Sequence, residues 1–106
     1  MPFKNKVVAI TGAASGIGLA LSHHLLSLGA KISIADSNRN ALHQAVLELE
    51  AKHTGTSARV FPFQLDVRKP ASVDEWMDKT ISKFGRVDGA ATLSHFYQGL
   101  HGGSHD

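Results

Sequence analysis

The chain has 106 residues, 42% of them apolar and 19% charged, with a formal net charge of +2, which suits one small globular domain. That charge is too small, and its lysines and arginines too scattered, for a nucleic-acid footprint; no apolar run reaches membrane-spanning length. The lack of cysteine excludes a disulfide framework and a thiolate zinc site, Met1 to Lys6 reads as a polar lead rather than a leader peptide, and the expected location is cytoplasmic.

Val7-Val8-Ala9-Ile10-Thr11 is an apolar run that predicts a strand buried on both faces. Gly12, Gly16 and Gly18 follow, and then a helical pattern at once. Strand, glycine turn and helix together aim backbone N–H groups and a helix N-terminus at a phosphate. Gly12 lets the chain leave the strand in a tight turn, Gly16 leaves room for a pyrophosphate, and Gly18 lets the helix pack closely. The helix is predicted from about Gly16 to Leu28, with Ile17, Leu21, Leu25 and Leu28 as its stripe, widened by Leu19, Ala20 and Leu26. His23 and His24 point about 100° apart on it, which reads as solvent-side or packed histidines rather than a metal pair.

Lys31 to Asp36 predicts a second strand, and Asn40 to His53 a helix buried through Ala41, Leu42, Ala45, Val46 and Leu49. Arg59 to Leu65 predicts a third strand, at an edge because it contains Pro62. A third helix follows from Pro70 to Phe84, its buried side formed by Val73, Trp76, Met77, Thr80, Ile81 and Phe84. Arg86 to Leu93 predicts a fourth strand.

The loop Thr11 to Gly18, T-G-x-x-x-G-x-G, resembles the cofactor loop of the short-chain dehydrogenase/reductase family. The resemblance runs from Lys6 to about Ser94. It implies an α/β fold, a Rossmann-type doubly wound parallel sheet, here truncated to about four strands and three helices in the order 3-2-1-4. It also implies hydride transfer between a nicotinamide cofactor and an alcohol or carbonyl compound. Gly12, Ser15, Gly16, Ile17 and Gly18 then hold the pyrophosphate and its flanks. Asp36, ending the second strand, accepts from the adenosine ribose hydroxyls; its carboxylate repels a 2′-phosphate, and the Ala13-Ala14-Ser15 turn holds no cation to attract one. The expected cofactor is therefore NAD(H) rather than NADP(H), with Arg39 able to soften the preference. The plainer reading of Asp36 is an acid that favours the next helix dipole. Leu65-Asp66-Val67 matches the family's L-D-V element, so that Asp66 and Val67 contact adenine; otherwise Asp66 is a plain acid ahead of a helix.

Two departures qualify this. The family's N-N-A-G at the end of the fourth strand is Thr92-Leu93-Ser94-His95 here, so Thr92 stands at the Asn position and cannot reproduce an amide. The Tyr-x-x-x-Lys motif, whose lysine lowers the tyrosine pKa for proton transfer, is absent: the one tyrosine is Tyr97, position 101 is His, and the last lysine is Lys83. No catalytic residue is therefore assigned, and a small-molecule substrate is expected only of a longer chain. The domain reading is a partial dinucleotide-binding domain over 1–94 and an irregular tail over 95–106, as a truncated or spliced product would have. His95, His101, His105 and Asp106 in that tail read as a polar tail rather than a metal site. The alternative function is a non-catalytic nucleotide-binding remnant or a regulatory partner of a full-length dehydrogenase. A fourth strand left at an edge, with part of one face uncovered, implies self-association through that edge.

Overall fold

A computed structural model describes residues 2–66 and 68–92; Val67 and the tail histidines lie outside the described residues. The elements are β1 (Val7–Thr11), α1 (Gly16–Ser27), β2 (Lys31–Asp36), α2 (Arg39–Lys52), a short 3-10 turn (Ser57–Arg59), β3 (Val60–Gln64), α3 (Pro70–Phe84) and β4 (Gly89–Thr92). The four strands pair in parallel in the order β3-β2-β1-β4, the truncated Rossmann-type arrangement expected.

Strand alternation divides the core between two faces. Ile10, Ile32, Ile34 and Val60 pack under Leu25 and Leu26 of α1 and Leu42 and Leu49 of α2. Ala9 and Ala35, on the opposite face, pack with Leu65 and with Trp76 of α3. Two helices on one face and the third on the other is what right-handed crossovers require once the strand order reverses after β3. Pro62 lies on β3, at the end of the described sheet, where its missing N–H is tolerated.

Local signals explain the helix ends. Ser15 and Asn38 cap α1 and α2 through side-chain oxygens, Asn38 accepting from the Ala41 amide at 3.0 Å. Pro70 opens α3, and Gly85, left-handed at φ 86°, closes it.

Three expectations need correction. Ile17 is 75% exposed and Ala20 is exposed, so neither belongs to a buried stripe; α1 buries Gly18, Ser22, Leu25 and Leu26 instead. Its first turns press on the chain through small residues, and the buried Ser22 hydroxyl is satisfied by donating to the Gly18 carbonyl at 2.8 Å. Ile81 of α3 is 49% exposed, because the burial of that helix centres on Trp76 and Thr80. The fourth strand begins at Gly89, not Arg86. Arg86 instead donates to the Asp88 carboxylate, and that carboxylate accepts the Val7 amide at 2.8 Å. These two donors, Arg86 first, hold the Asp88 carboxyl below the usual carboxylate range.

His23 is neither idle nor simply packed. Its Nε2 lies 2.7 Å from Glu48 of α2, and its Nδ1 lies 3.0 Å from Nε2 of His53, just past α2. In the neutral pair, Glu48 accepts from His23 Nε2–H and His23 Nδ1 accepts from His53 Nε2–H. Burial first, then His23, Arg59 and Lys52, push the His53 pKa below its ordinary 6.5. A histidine whose folded pKa is lowered leaves the unfolded chain binding more protons at low pH, so stability falls as pH drops through about 6.5. Urea midpoints measured from pH 7.5 to 5.5 should decline, and His53→Asn should flatten the decline; an equal slope in the variant would remove His53 as its source.

Candidate cofactor site

In an open parallel sheet ligands bind outside the carboxyl ends of the strands, and here β1, β2 and β3 bring Gly12, Ser15, Asp36 and Asp66 to that end. Gly12, at φ 68°, turns the chain out of β1. Ser15 then locks the turn, its hydroxyl donating to the Gly12 carbonyl at 2.7 Å and accepting the Gly18 amide at 3.3 Å. The Leu19 amide donates to the Ser15 carbonyl at 2.8 Å. Gly18 and Leu19 amides are thus used internally, whereas the first amides of α1, at Gly16 and Ile17, have no acceptor within the helix. They sit at its electropositive end.

Two glycines differ in their surroundings. A Cβ on Gly18 would lie 2.2 Å from the Gly12 carbonyl oxygen and 2.8 Å from Ala13 Cα. Gly18 therefore allows α1 to lie against the turn. A Cβ on Gly16 would meet nothing within 4 Å. Its missing side chain is not demanded by the fold, and it leaves open space beside the helix amides.

Asp36 stands beside this turn. Its Oδ2 accepts the Ala14 amide and its Oδ1 the Asn38 amide, both at 3.0 Å. The Ala13 amide adds a bond to the Ala35 carbonyl at 3.2 Å. Beyond Asp36, a cleft of about 730 Å³ is lined by Ser37, Leu65, Asp66, Arg68, Lys69 and Ser72, among others. Asp66 is gripped by Arg68, whose Nε and guanidinium NH2 lie 2.9 and 3.0 Å from its two oxygens. Those side-chain bonds, with the Arg68 amide, bring the Asp66 pKa down to about 2. Asp66 lies ahead of α3 without capping it; the N-cap position is Lys69, which makes no side-chain cap bond.

Thr92 lies in β4 directly across from Thr11 of β1. Thr11 is buried, and its hydroxyl has no hydrogen-bond partner among the described residues. Val67 lies outside the described residues. The sequence reading missed three features: the Asp36–Ala14 tie, the Asp66–Arg68 pair and the orphaned Thr11 hydroxyl. Only Asp66–Arg68 carried a signal, an acid and an arginine two residues apart.

The residues fit a dinucleotide on structural grounds. The space over Gly16 admits a phosphate, the helix amides favour its charge, and each Asp36 oxygen keeps a second lone pair for a ribose hydroxyl. The cleft beside Asp66 is large enough for a base. A family model described as short chain dehydrogenase matches residues 6–92. The short-chain dehydrogenase/reductase aba4 of Botryotinia fuckeliana (strain B05.10) is 43% identical over 93 residues, 88% of this chain and 35% of that protein. The structure of NAD+-bound xylitol dehydrogenase superposes with a TM-score of 0.77 at 30% identity, covering 85% of this chain and 33% of that one. The C-domain with NADP of a bacterial malonyl-CoA reductase gives 0.78 at 26% identity, over 83% of this chain and 14% of that one. The chain spans about a third of the length of the curated relatives it matches.

Proposed function

Because the chain belongs to the short-chain dehydrogenase family of oxidoreductases, we propose that residues 1–94 form a unit that holds a nicotinamide dinucleotide, NAD(H) in preference to NADP(H). Gly12, Ser15, Gly16, Ile17 and Gly18 seat the pyrophosphate, Asp36 accepts from the adenosine ribose, and Asp66 and Val67 flank the adenine. Thr92, at the family's Asn position, completes the cofactor-binding set. The nicotinamide ring, when bound, supplies the hydride carrier for an alcohol/carbonyl pair. The chain's own residues bind and orient; proton transfer needs a Tyr-x-x-x-Lys pair that these 106 residues do not contain. The position of β4 at the end of the described sheet favours a second reading, a non-catalytic nucleotide-binding module or regulatory partner of a longer dehydrogenase. In that reading the chain associates through β4, where Gly89 and Ala90 are exposed. The proposed location is the cytoplasm; among the described residues no helix is long and apolar enough to cross a membrane.

One observation carries the NAD(H) preference. The Asp36 carboxylate lies 3.0 Å from the Ala14 amide, so a 2′-phosphate near it meets a fixed negative charge. Titration of the chain with NADH and NADPH, followed by nucleotide fluorescence, should show saturable binding with NADH about tenfold tighter or more. The reverse order would overturn the preference, and no binding of either would overturn the binding function.

A further inference from the structure

Within the glycine turn the Ser15 amide and hydroxyl both donate to the Gly12 carbonyl, which leaves the Ala13 and Ala14 amides to find acceptors outside it. Gly12 is left-handed and Gly16 is open to solvent, and both residues widen the conformations available to the backbone between them. Two bonds from β2 restrain it: the Ala35 carbonyl accepts the Ala13 amide, and the Asp36 carboxylate accepts the Ala14 amide. The other Asp36 oxygen takes the Asn38 amide, and Asn38 caps α2. A single carboxylate therefore fixes the turn before α1 and the start of α2 together. Charge-assisted bonds of this kind are about twice as strong as neutral ones.

We infer that Asp36 is a positioning residue for the pyrophosphate turn, in addition to the ribose contact proposed above, on which the nucleotide arm of this inference rests. The consequence departs from a pure ribose role. An acid that acts only on the ribose hydroxyls penalises NADPH, so removing it should weaken NADH and strengthen NADPH. An acid that also shapes the turn supports any dinucleotide, because both cofactors share the pyrophosphate. Substitution at Asp36 alone then weakens both and does not convert one preference into the other.

The test uses the full chain and Asp36→Ala, Asp36→Asn and Ser33→Ala variants, with affinities for NADH and NADPH measured well below each melting midpoint. Asp36→Ala should lose about tenfold or more toward both nucleotides. Asp36→Asn, which keeps one carbonyl acceptor, should recover part of the loss. Ser33→Ala, destabilised away from the turn, should keep both affinities. A gain toward NADPH in Asp36→Ala would overturn the inference. A second readout needs no nucleotide and stands even if the chain binds none. The unsubstituted chain should show a scalar coupling across the hydrogen bond from the Ala14 amide nitrogen to the Asp36 carboxyl carbon. The Ala14 amide should exchange with solvent at least tenfold faster in Asp36→Ala than in Ser33→Ala. No coupling, or equal exchange, would overturn the inference whatever the nucleotide result.

Discussion

Replacing Gly18 with alanine is expected to destabilise the fold by about 3 kcal/mol, read as a fall in the urea midpoint. The added Cβ would stand 2.2 Å from the Gly12 carbonyl oxygen and within 3 Å of two further backbone atoms. No rotamer change relieves a clash with backbone, so α1 must lift from the turn. The lift breaks the Gly18 amide to Ser15 hydroxyl bond and disturbs the buried Ser22 hydroxyl that leans on the Gly18 carbonyl. Gly16→Ala, two residues earlier, should do the opposite. Its Cβ meets nothing within 4 Å, and alanine favours a helix over glycine by up to about 1 kcal/mol. The variant should melt at or above the parent temperature, yet bind NADH at least about tenfold more weakly, because the methyl occupies the space proposed for the pyrophosphate. A Gly18→Ala chain that melts with the parent would mean that the helix does not lie against the turn. A Gly16→Ala chain with parental affinity would move the pyrophosphate elsewhere.

The two glycines also show what can be read in a sequence and what cannot. The spacing of Gly12, Gly16 and Gly18 after an apolar strand marks the turn because each effect is local: a positive φ, an open flank, a close approach. The same holds for the edge position of Pro62 and for the helix starts at Gly16 and Pro70. Hydrophobic period alone misplaced Ile17. Period counts apolar side chains, whereas the first turn of α1 is held close by the small Gly18 and by Ser22, whose hydroxyl finds its acceptor within the helix. The strand pattern takes in Asp88 because its role depends on Val7, 81 residues away in the chain. The tie between Asp36 and Ala14 was hidden for a related reason. A carboxylate at the end of a strand signals a ribose contact, but the amide it holds is fixed only once β1 and β2 are in register. Pairings between distant segments are set by the sheet, and no spacing rule within one segment predicts them.

The largest polar pairing of this hidden kind joins β2 to α3. Trp76 Nε1–H donates to the Ser33 hydroxyl at 2.8 Å, and Thr80 donates to the Trp76 carbonyl at 2.8 Å. The remaining 2.6 Å contact between Ser33 and Thr80 then has one consistent direction, with Ser33 as donor. All three residues are buried, and the ring of bonds closes on itself. The neighbouring Ala9 and Ala35 are small, which leaves room for the indole against the sheet. Ser33→Ala strands the indole N–H without an acceptor and should cost about 2 kcal/mol. Trp76→Phe removes that donor and some ring volume, at a cost of about 1–2 kcal/mol. The two substitutions together should cost less than their sum by at least about 0.5 kcal/mol, since removing both partners leaves no orphaned indole donor. Urea unfolding of the parent, both single variants and the double variant completes the cycle. Strictly additive costs would mean that Ser33 and Trp76 stabilise the sheet–helix contact by packing alone. A combined cost below the sum identifies the Ser33 hydroxyl and the indole N–H as the latch that seats α3 on the sheet.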